Sequence, residues 1–208
     1  MTRIIVVRHG QTEWNRVERF RGRADVPLNE TGLRQAQAVA RRIAANWKAQ
    51  AVYYSDLART RVTALTIAAD CGSPAFPQPG LLDIDYGSWT GLSPEEVAAR
   101  DPELLQRWRE QPQEVHIPGG ETLDVVRRRS VACMEAVAAR HEGGTAVVVS
   151  HLVVCRLLVL EALGLDTSDF WRIQQETGTV NVFEWDDGVY TIVTLNDACH
   201  LSAIGKKG

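Results

Sequence analysis

Three short runs of β-branched and aromatic residues, Ile4 to Val7, Ala51 to Tyr54 and Thr145 to Ser150, each precede a stretch with helical periodicity, and that alternation constrains the chain more than any other feature. Strands that return through helices run in the same direction, so the pattern predicts a parallel sheet with helices against it. The helices are predicted from about Thr31 to Trp47, from Ala58 to about Cys71, and from Val153 to Leu163, the last closed by Gly164. In open α/β sheets ligands bind beyond the carboxyl ends of the strands. Arg8-His9-Gly10, Ser55 to Arg59 and Ser150-His151 all lie just past such an end, so the sequence predicts that they face one crevice.

Between the second and third of these strands lies an insert, about 92–121. A helix is predicted to start at Ser93-Pro94-Glu95-Glu96, which has capping-box residues and a proline at the first helical position. A second helix follows Asp101-Pro102, and Thr122 caps a long helix reaching about His141. The insert is thus expected to act as a cap over the crevice. Gly178 to Trp185 and Tyr190 to Asn196, joined through Asp186-Asp187-Gly188, read as a hairpin that extends the sheet edge in the antiparallel sense. With 208 residues and neither a linker nor an internal repeat, the chain is expected to be one domain over 1–208.

A net charge of -3 argues against non-specific nucleic-acid binding, which needs a broad basic surface. Charge is nevertheless concentrated locally: Arg3, Arg8, Arg16, Arg19, Arg21 and Arg23 could line an anion site or form a solvated basic face. Cys71, Cys133, Cys155 and Cys199 are far apart and form no C-x-x-C pair, which suits neither a zinc site nor a disulfide framework. The apolar run at Ile4 to Val7 is too short for a signal peptide, and nothing approaches the length of a membrane span, so a cytoplasmic protein is expected.

Arg8-His9-Gly10 with Asn15 close behind brings an arginine, an imidazole and loop amides to one strand end. Alone, Arg8 would do equally well as a surface cation and His9 as a satisfied polar residue. Arg59 adds a second arginine at a helix start, where anions are favoured, and paired guanidinium donors match phosphate oxygens. His151 adds a second histidine at the third strand end. The joint pattern points to a phosphoryl-binding pocket. No H-e-x-x-H pattern or aspartate cluster suggests a metal, and no cofactor is expected.

These motifs, in order, resemble the histidine phosphatase superfamily, which includes cofactor-dependent phosphoglycerate mutase. The resemblance runs through Arg8 to Asn15, Gly22, Asp25 to Gly32, Ser55 to Thr60, Leu82 to Gly91, Gly119-Gly120-Glu121 and Ser150-His151, and covers nearly the whole chain. It implies a three-layer α/β/α sandwich, a mostly parallel sheet with an antiparallel edge strand and a helical cap. It also implies that His9 is phosphorylated on its imidazole, that Arg8, Asn15, Arg59 and a charged His151 hold the phosphoryl group, and that Gly22 lies near the substrate. Such chemistry needs positioning and offset charge rather than a metal.

Two departures from the family pattern stand out. The proton donor to the leaving alcohol is usually a glutamate; here Asp83 occupies that place, with Asp85 as fallback. Like charge from the phosphate would raise its proton affinity, as a donor requires. Arg21 stands where many members carry glutamine, and it would favour a substrate with an extra carboxylate or phosphate, or else point into solvent. Trp14, Trp89, Trp108 and Trp171 are expected to pack rather than contact substrate.

The insert around Arg107 to Pro112 and the segment Leu195 to Leu201 resemble the metal-independent bacterial phosphoserine phosphatases. That resemblance implies a small phosphate monoester as ligand, a homodimer, and a contact between His200 and the substrate carboxylate, although His200 would also fit an exposed tail. The other readings are a phosphoglycerate mutase, a broad sugar-phosphate or alpha-ribazole phosphatase, and a phospho-ligand binding module without turnover.

Overall fold

The computed structural model describes residues 1–204. Its strands are β1 (Thr2–Arg8), β2 (Ala51–Tyr54), β3 (Ala75–Pro77), β4 (Thr145–Ser150), β5 (Val180–Asp186) and β6 (Val189–Asp197). They form one sheet in the order β3-β2-β4-β1-β5-β6. The first four in that order are mutually parallel, and β5 and β6 are antiparallel. The helices are α1 (Glu13–Arg16), α2 (Glu30–Asn46), α3 (Ala58–Cys71), α4 (Pro94–Arg100), α5 (Pro102–Glu110), α6 (Leu123–Arg140) and α7 (Leu152–Leu163). None of the described helices is long and apolar enough to cross a membrane.

Alternation along the strands builds the three layers. Ile4, Val6, Tyr53 and Val148 pack with Met134 and Val137 of α6 and with Val154, Leu157 and Leu158 of α7. Their neighbours Ile5, Val7, Val52, Val147 and Val149 turn the other way onto Val39 and Ile43 of α2 and Ala64 and Ile67 of α3. Both faces of the central strands are therefore buried, which is why they read as continuous apolar runs. Each large side chain so enclosed contributes about 1.5–3 kcal/mol.

The three strands and their helices lie where the sequence puts them, within a residue or two. The predicted hairpin is present, with β5 antiparallel to β1 and β6 antiparallel to β5 at the edge. One difference has a physical cause. β3 was not anticipated: it has three residues, ends in Pro77 and is only partly covered, so it carries no apolar run to detect.

Register fixes the working end. Arg8 pairs with Ser150 and Tyr54 with Val149, so β1, β2 and β4 finish level. Beyond β1 the chain passes close to the start of α2. A Cβ on Gly32 would lie 2.0 Å from the Gln11 carbonyl oxygen, and one on Gly10 would lie 2.4 Å from the Gly32 carbonyl oxygen. Asn29 locks this approach: its Oδ1 accepts from Gly32 N at 2.9 Å and its Nδ2 donates to Gln11 Oε1 at 2.9 Å. The insert is anchored similarly, with Ser93 and Glu96 forming a reciprocal cap on α4 and Trp89 Nε1 donating to Asp101 Oδ2 at 2.9 Å.

Because backbone, rather than a flexible side chain, meets the added methyl group, Gly32→Ala is expected to destabilise the protein by about 2–3 kcal/mol in urea unfolding. Stability within 0.5 kcal/mol of the parent, a limit typical of roughly neutral surface changes, would show that the loop and α2 can separate without cost.

Candidate active site

Beyond the level strand ends lie His9, Ser55 and His151. His9 N donates to Ser150 O at 3.0 Å and Ser55 N to Val149 O at 3.2 Å, which carries the parallel ladder one step past the sheet. The two imidazoles meet edge to face with centroids 5.2 Å apart. His9 is 1% exposed, and its Nδ1 lies 2.6 Å from Gly10 O. A carbonyl can only accept, so Nδ1 carries the proton and Nε2 keeps its lone pair. Burial, then Arg59, Arg8 and Arg21, hold His9 well below the ordinary histidine value, which keeps the ring neutral.

Arg59, in the first turn of α3, is fully buried. Its Nη1 donates to Ala24 O at 2.7 Å, its Nη2 to Gly22 O at 2.8 Å, and its Nε to His151 Nδ1 at 3.2 Å. Gly22 therefore stands behind Arg59 as a backbone acceptor. Its φ of +48° and the 2.8 Å approach of Ile84 O to a would-be Cβ explain why glycine is needed there. Arg8 donates through Nη1 to Gln175 O, while its Nε is buried without a partner. Burial brings the Arg8 guanidinium down to about 9.

Asp83 is the acid among these arginines. Its Oδ1 accepts from Ile84 N at 3.0 Å, and its Oδ2 lies 3.5 Å from Arg59 Nη2 and 3.7 Å from His151 Nδ1. Burial raises its proton affinity although Arg59 and Arg21 oppose the change. The rise anticipated from bound phosphate is thus already present from desolvation. Asp85 faces elsewhere: its Oδ1 accepts from Gly87 N at 2.8 Å, and Oδ2 lies 3.7 Å from Arg23.

His151 is fully buried, and burial followed by Arg59 and His9 holds it well below the ordinary histidine value, which favours the neutral ring.

A cavity of about 430 Å³ opens above this group, with Arg8, Asn15, Arg21 and Asp83 in its wall. His9, Arg59 and His151 are not in the wall but adjoin residues that are: His9 follows Arg8 in the chain, and Arg59 and His151 lie 3.5 and 3.7 Å from Asp83 Oδ2. Asn15 serves two purposes, since its Oδ1 also accepts from Thr12 N and Oγ1, both at 2.9 Å, to cap α1. Arg21 is turned inward and not toward solvent, with Nη1 on Trp14 O at 3.1 Å and a buried Nε that has no partner. Burial lowers its proton affinity. Leu105, Trp108 and Arg109 bring the insert into the wall, joined by Phe20, Tyr86 and Trp171. Trp108 and Trp171 form part of that wall, and Trp108 is also packed in the core.

His200 is not in that wall. Its Nε2 lies 2.8 Å from Gly178 O, and it borders a separate hollow with Arg34, Arg41 and Arg42. The Gly178 turn intervenes, because Gly178 N is shared by Arg8 O and His9 O at 3.0 and 3.1 Å. Among the described residues the one group of three possible metal ligands, Asp197, Cys199 and His200, lies in this tail and not at the cavity.

Arg129 was not foreseen. From α6 it donates to the carbonyls of Gly80, Leu82 and Asp83 at 2.9, 2.6 and 3.0 Å and pairs with Glu121 at 2.9 Å. It thereby fixes the backbone that carries Asp83. Nothing in an arginine-rich helix distinguishes this residue from Arg127 and Arg128 by sequence.

The family model described as "Histidine phosphatase superfamily (branch 1)" matches residues 4–198. Phosphoserine phosphatase 1 of Hydrogenobacter thermophilus is 37% identical over 201 residues, covering 97% of this chain and 95% of that one. The metal-independent phosphoserine phosphatase of Arabidopsis thaliana is 35% identical over 207 residues, covering 99% and 85%. A phosphoserine phosphatase mutant from Entamoeba histolytica, solved in complex with phosphoserine, superposes with a TM-score of 0.86 at 25% identity, covering 97% of this chain and 100% of that one.

Removing the Arg129 clamp leaves three carbonyls and Glu121 short of a donor. Arg129→Met is expected to cost about 2–3 kcal/mol and to speed amide exchange between residues 80 and 87. Unchanged exchange in that segment would mean that Asp83 is held by other contacts.

Proposed function

The chain belongs to the histidine phosphatase superfamily, and from that membership we propose that it hydrolyses small phosphate monoesters, phosphoserine among them, through a phosphoryl group carried on His9. The observation that carries this reading is the His9 Nδ1 contact with Gly10 O at 2.6 Å, which leaves Nε2 as a neutral, fixed nucleophile beside two buried arginines. Attack in line by that lone pair forms the P–N bond while the P–O bond to the alcohol breaks. Arg8 and Arg59, with Asn15 in the wall, offset the charge on the transferring oxygens.

The leaving oxygen needs a proton, and Asp83 is the group in the wall that burial keeps inclined to hold one. After transfer the same carboxylate accepts a proton from water as that water attacks the phosphohistidine. All of these roles fall to side chains and need no metal. Support for phosphoserine comes from the names of the relatives and from Arg21, whose unpaired buried Nε would suit a substrate carboxylate. Gly22 acts through Arg59, and His200 has no part in binding in this reading.

Purified protein in excess chelator should release phosphate from L-phosphoserine, and His9→Ala should abolish release while keeping the fold. Asp83→Asn should slow turnover by about 100-fold or more for alkyl phosphates and much less for aryl phosphates, whose leaving groups need little protonation. Activity should fall at acid pH as His9 takes up a proton, with the midpoint below the ordinary histidine value because His9 is held down. Near-parent activity in His9→Ala, or an absolute metal requirement, would contradict the mechanism; equal rates on phosphothreonine, 3-phosphoglycerate and sugar phosphates would withdraw the phosphoserine assignment alone.

A further inference from the structure

Both nitrogens of His151 are already engaged, and the partners decide which carries hydrogen. Arg59 Nε always bears a proton, so at 3.2 Å it donates to His151 Nδ1, which must present its lone pair. The proton of the neutral ring then sits on Nε2, 2.7 Å from Ser55 Oγ, which accepts it. In this tautomer His151 has no N–H to offer a phosphoryl oxygen. An anion approaching Arg59 Nε from the cavity side would meet an unprotonated nitrogen next to the donor it seeks.

We propose that filling the phosphate pocket draws one proton from solvent onto His151 Nδ1, and that Ser55 is the positioning residue whose hydroxyl fixes the ring for this uptake. The inference rests on the phosphatase reading for the pocket but concerns its proton balance, on which that reading is silent. The step balances simply. The Nδ1 lone pair takes a proton from water or buffer, the ring becomes a cation with Nε2–H still on Ser55 Oγ, and Arg59 Nε–H turns from Nδ1 to the anion. Arg59 keeps its place throughout, because Nη1 and Nη2 remain on Ala24 O and Gly22 O.

The surroundings account for the direction of the change. Burial first, then Arg59 from α3, His9 from the end of β1, Arg21 from the following loop and Arg8 oppose a charge on His151, with Asp83 Oδ2 at 3.7 Å as the nearby carboxylate. A dianion beside the ring brings opposite charge that both screens those arginines and favours the cation against the cost of burial. Ser55 is suited to its part: it is fully buried, its N donates to Val149 O at 3.2 Å, and its O accepts from Thr60 Oγ1 at 2.6 Å, so the hydroxyl is held on the strand end.

Sulfate serves as the probe because it remains a dianion near neutral pH, so any proton taken up belongs to the protein. Calorimetric titration of the whole protein at pH 7, in two buffers of different ionisation enthalpy, should give close to one proton taken up per sulfate bound. Uptake should persist in Asp83→Asn and vanish in His151→Gln. Ser55→Ala should weaken sulfate binding about tenfold and lower the uptake, with Ser55→Thr restoring both. Binding without uptake, uptake that survives His151→Gln, or uptake lost in Asp83→Asn would overturn the inference and leave the proposed function standing. A folded Ser55→Ala variant that binds and titrates like the parent would remove Ser55 from the account. Nitrogen-15 spectra of the unmodified protein give an independent check: the Nε2–H tautomer of His151 is expected, and the Nδ1–H tautomer would overturn it. Failure to bind sulfate at all would count against the pocket and thus against both readings.

Discussion

The buried guanidinium of Arg59 is the contact on which the rest of the site depends. It is withdrawn from water entirely, and a charge so placed is tolerable only if its donors are satisfied. Two of its partners are backbone carbonyls, Gly22 O and Ala24 O, one is the His151 ring, and one is Asp83 at the long distance of 3.5 Å. Three requirements follow. The loop carrying Gly22 must come close, which demands glycine; His151 must be neutral whenever its Nδ1 is the acceptor for Arg59 Nε; and Asp83 alone cannot neutralise Arg59, Arg8 and Arg21. The site keeps an excess of positive charge that a phosphate dianion is suited to balance.

The sheet makes that concentration of charge possible. Parallel strands of matched register end level, so residues distant in the chain arrive beside one another without long loops of their own. The loop after β1 is held backbone to backbone against α2, and the segment carrying Asp83 is clamped from α6 by Arg129. His9, Arg59 and Asp83 therefore hang from three differently anchored segments. Phe20, Tyr86, Trp108 and Trp171 line the cavity with low-dielectric surface, which strengthens the charge interactions beside it.

Much of this was legible in the sequence, for reasons that differ by element. The central strands announce themselves because both faces are buried, and two capped helices because Ser93 and Thr122 mark their starts. Arg8, His9, Arg59 and His151 could be found because each lies at the boundary of an element visible in the sequence, whereas Asp83 was reached only through the family motif over Leu82 to Gly91. What depends on side-chain direction could not be read. The sequence leaves both solvent and cavity open to Arg21, and its inward turn is held by the Trp14 carbonyl. The neutrality of His151 needed the position of Arg59 Nε, and the withdrawal of His200 needed the Gly178 turn. Arg129 stands in a run of three arginines that only packing tells apart.

The central claim is that Nε2 of His9 receives the phosphoryl group because Gly10 O occupies the other nitrogen through its proton. The most direct measurement is rapid alkaline quenching during turnover, followed by phosphorus NMR and peptide mass spectrometry of the trapped protein. The account predicts a phosphoramidate on His9, stable in alkali and labile in acid, bonded at Nε2. Phosphate bonded at Nδ1, or carried by a different residue, would contradict it.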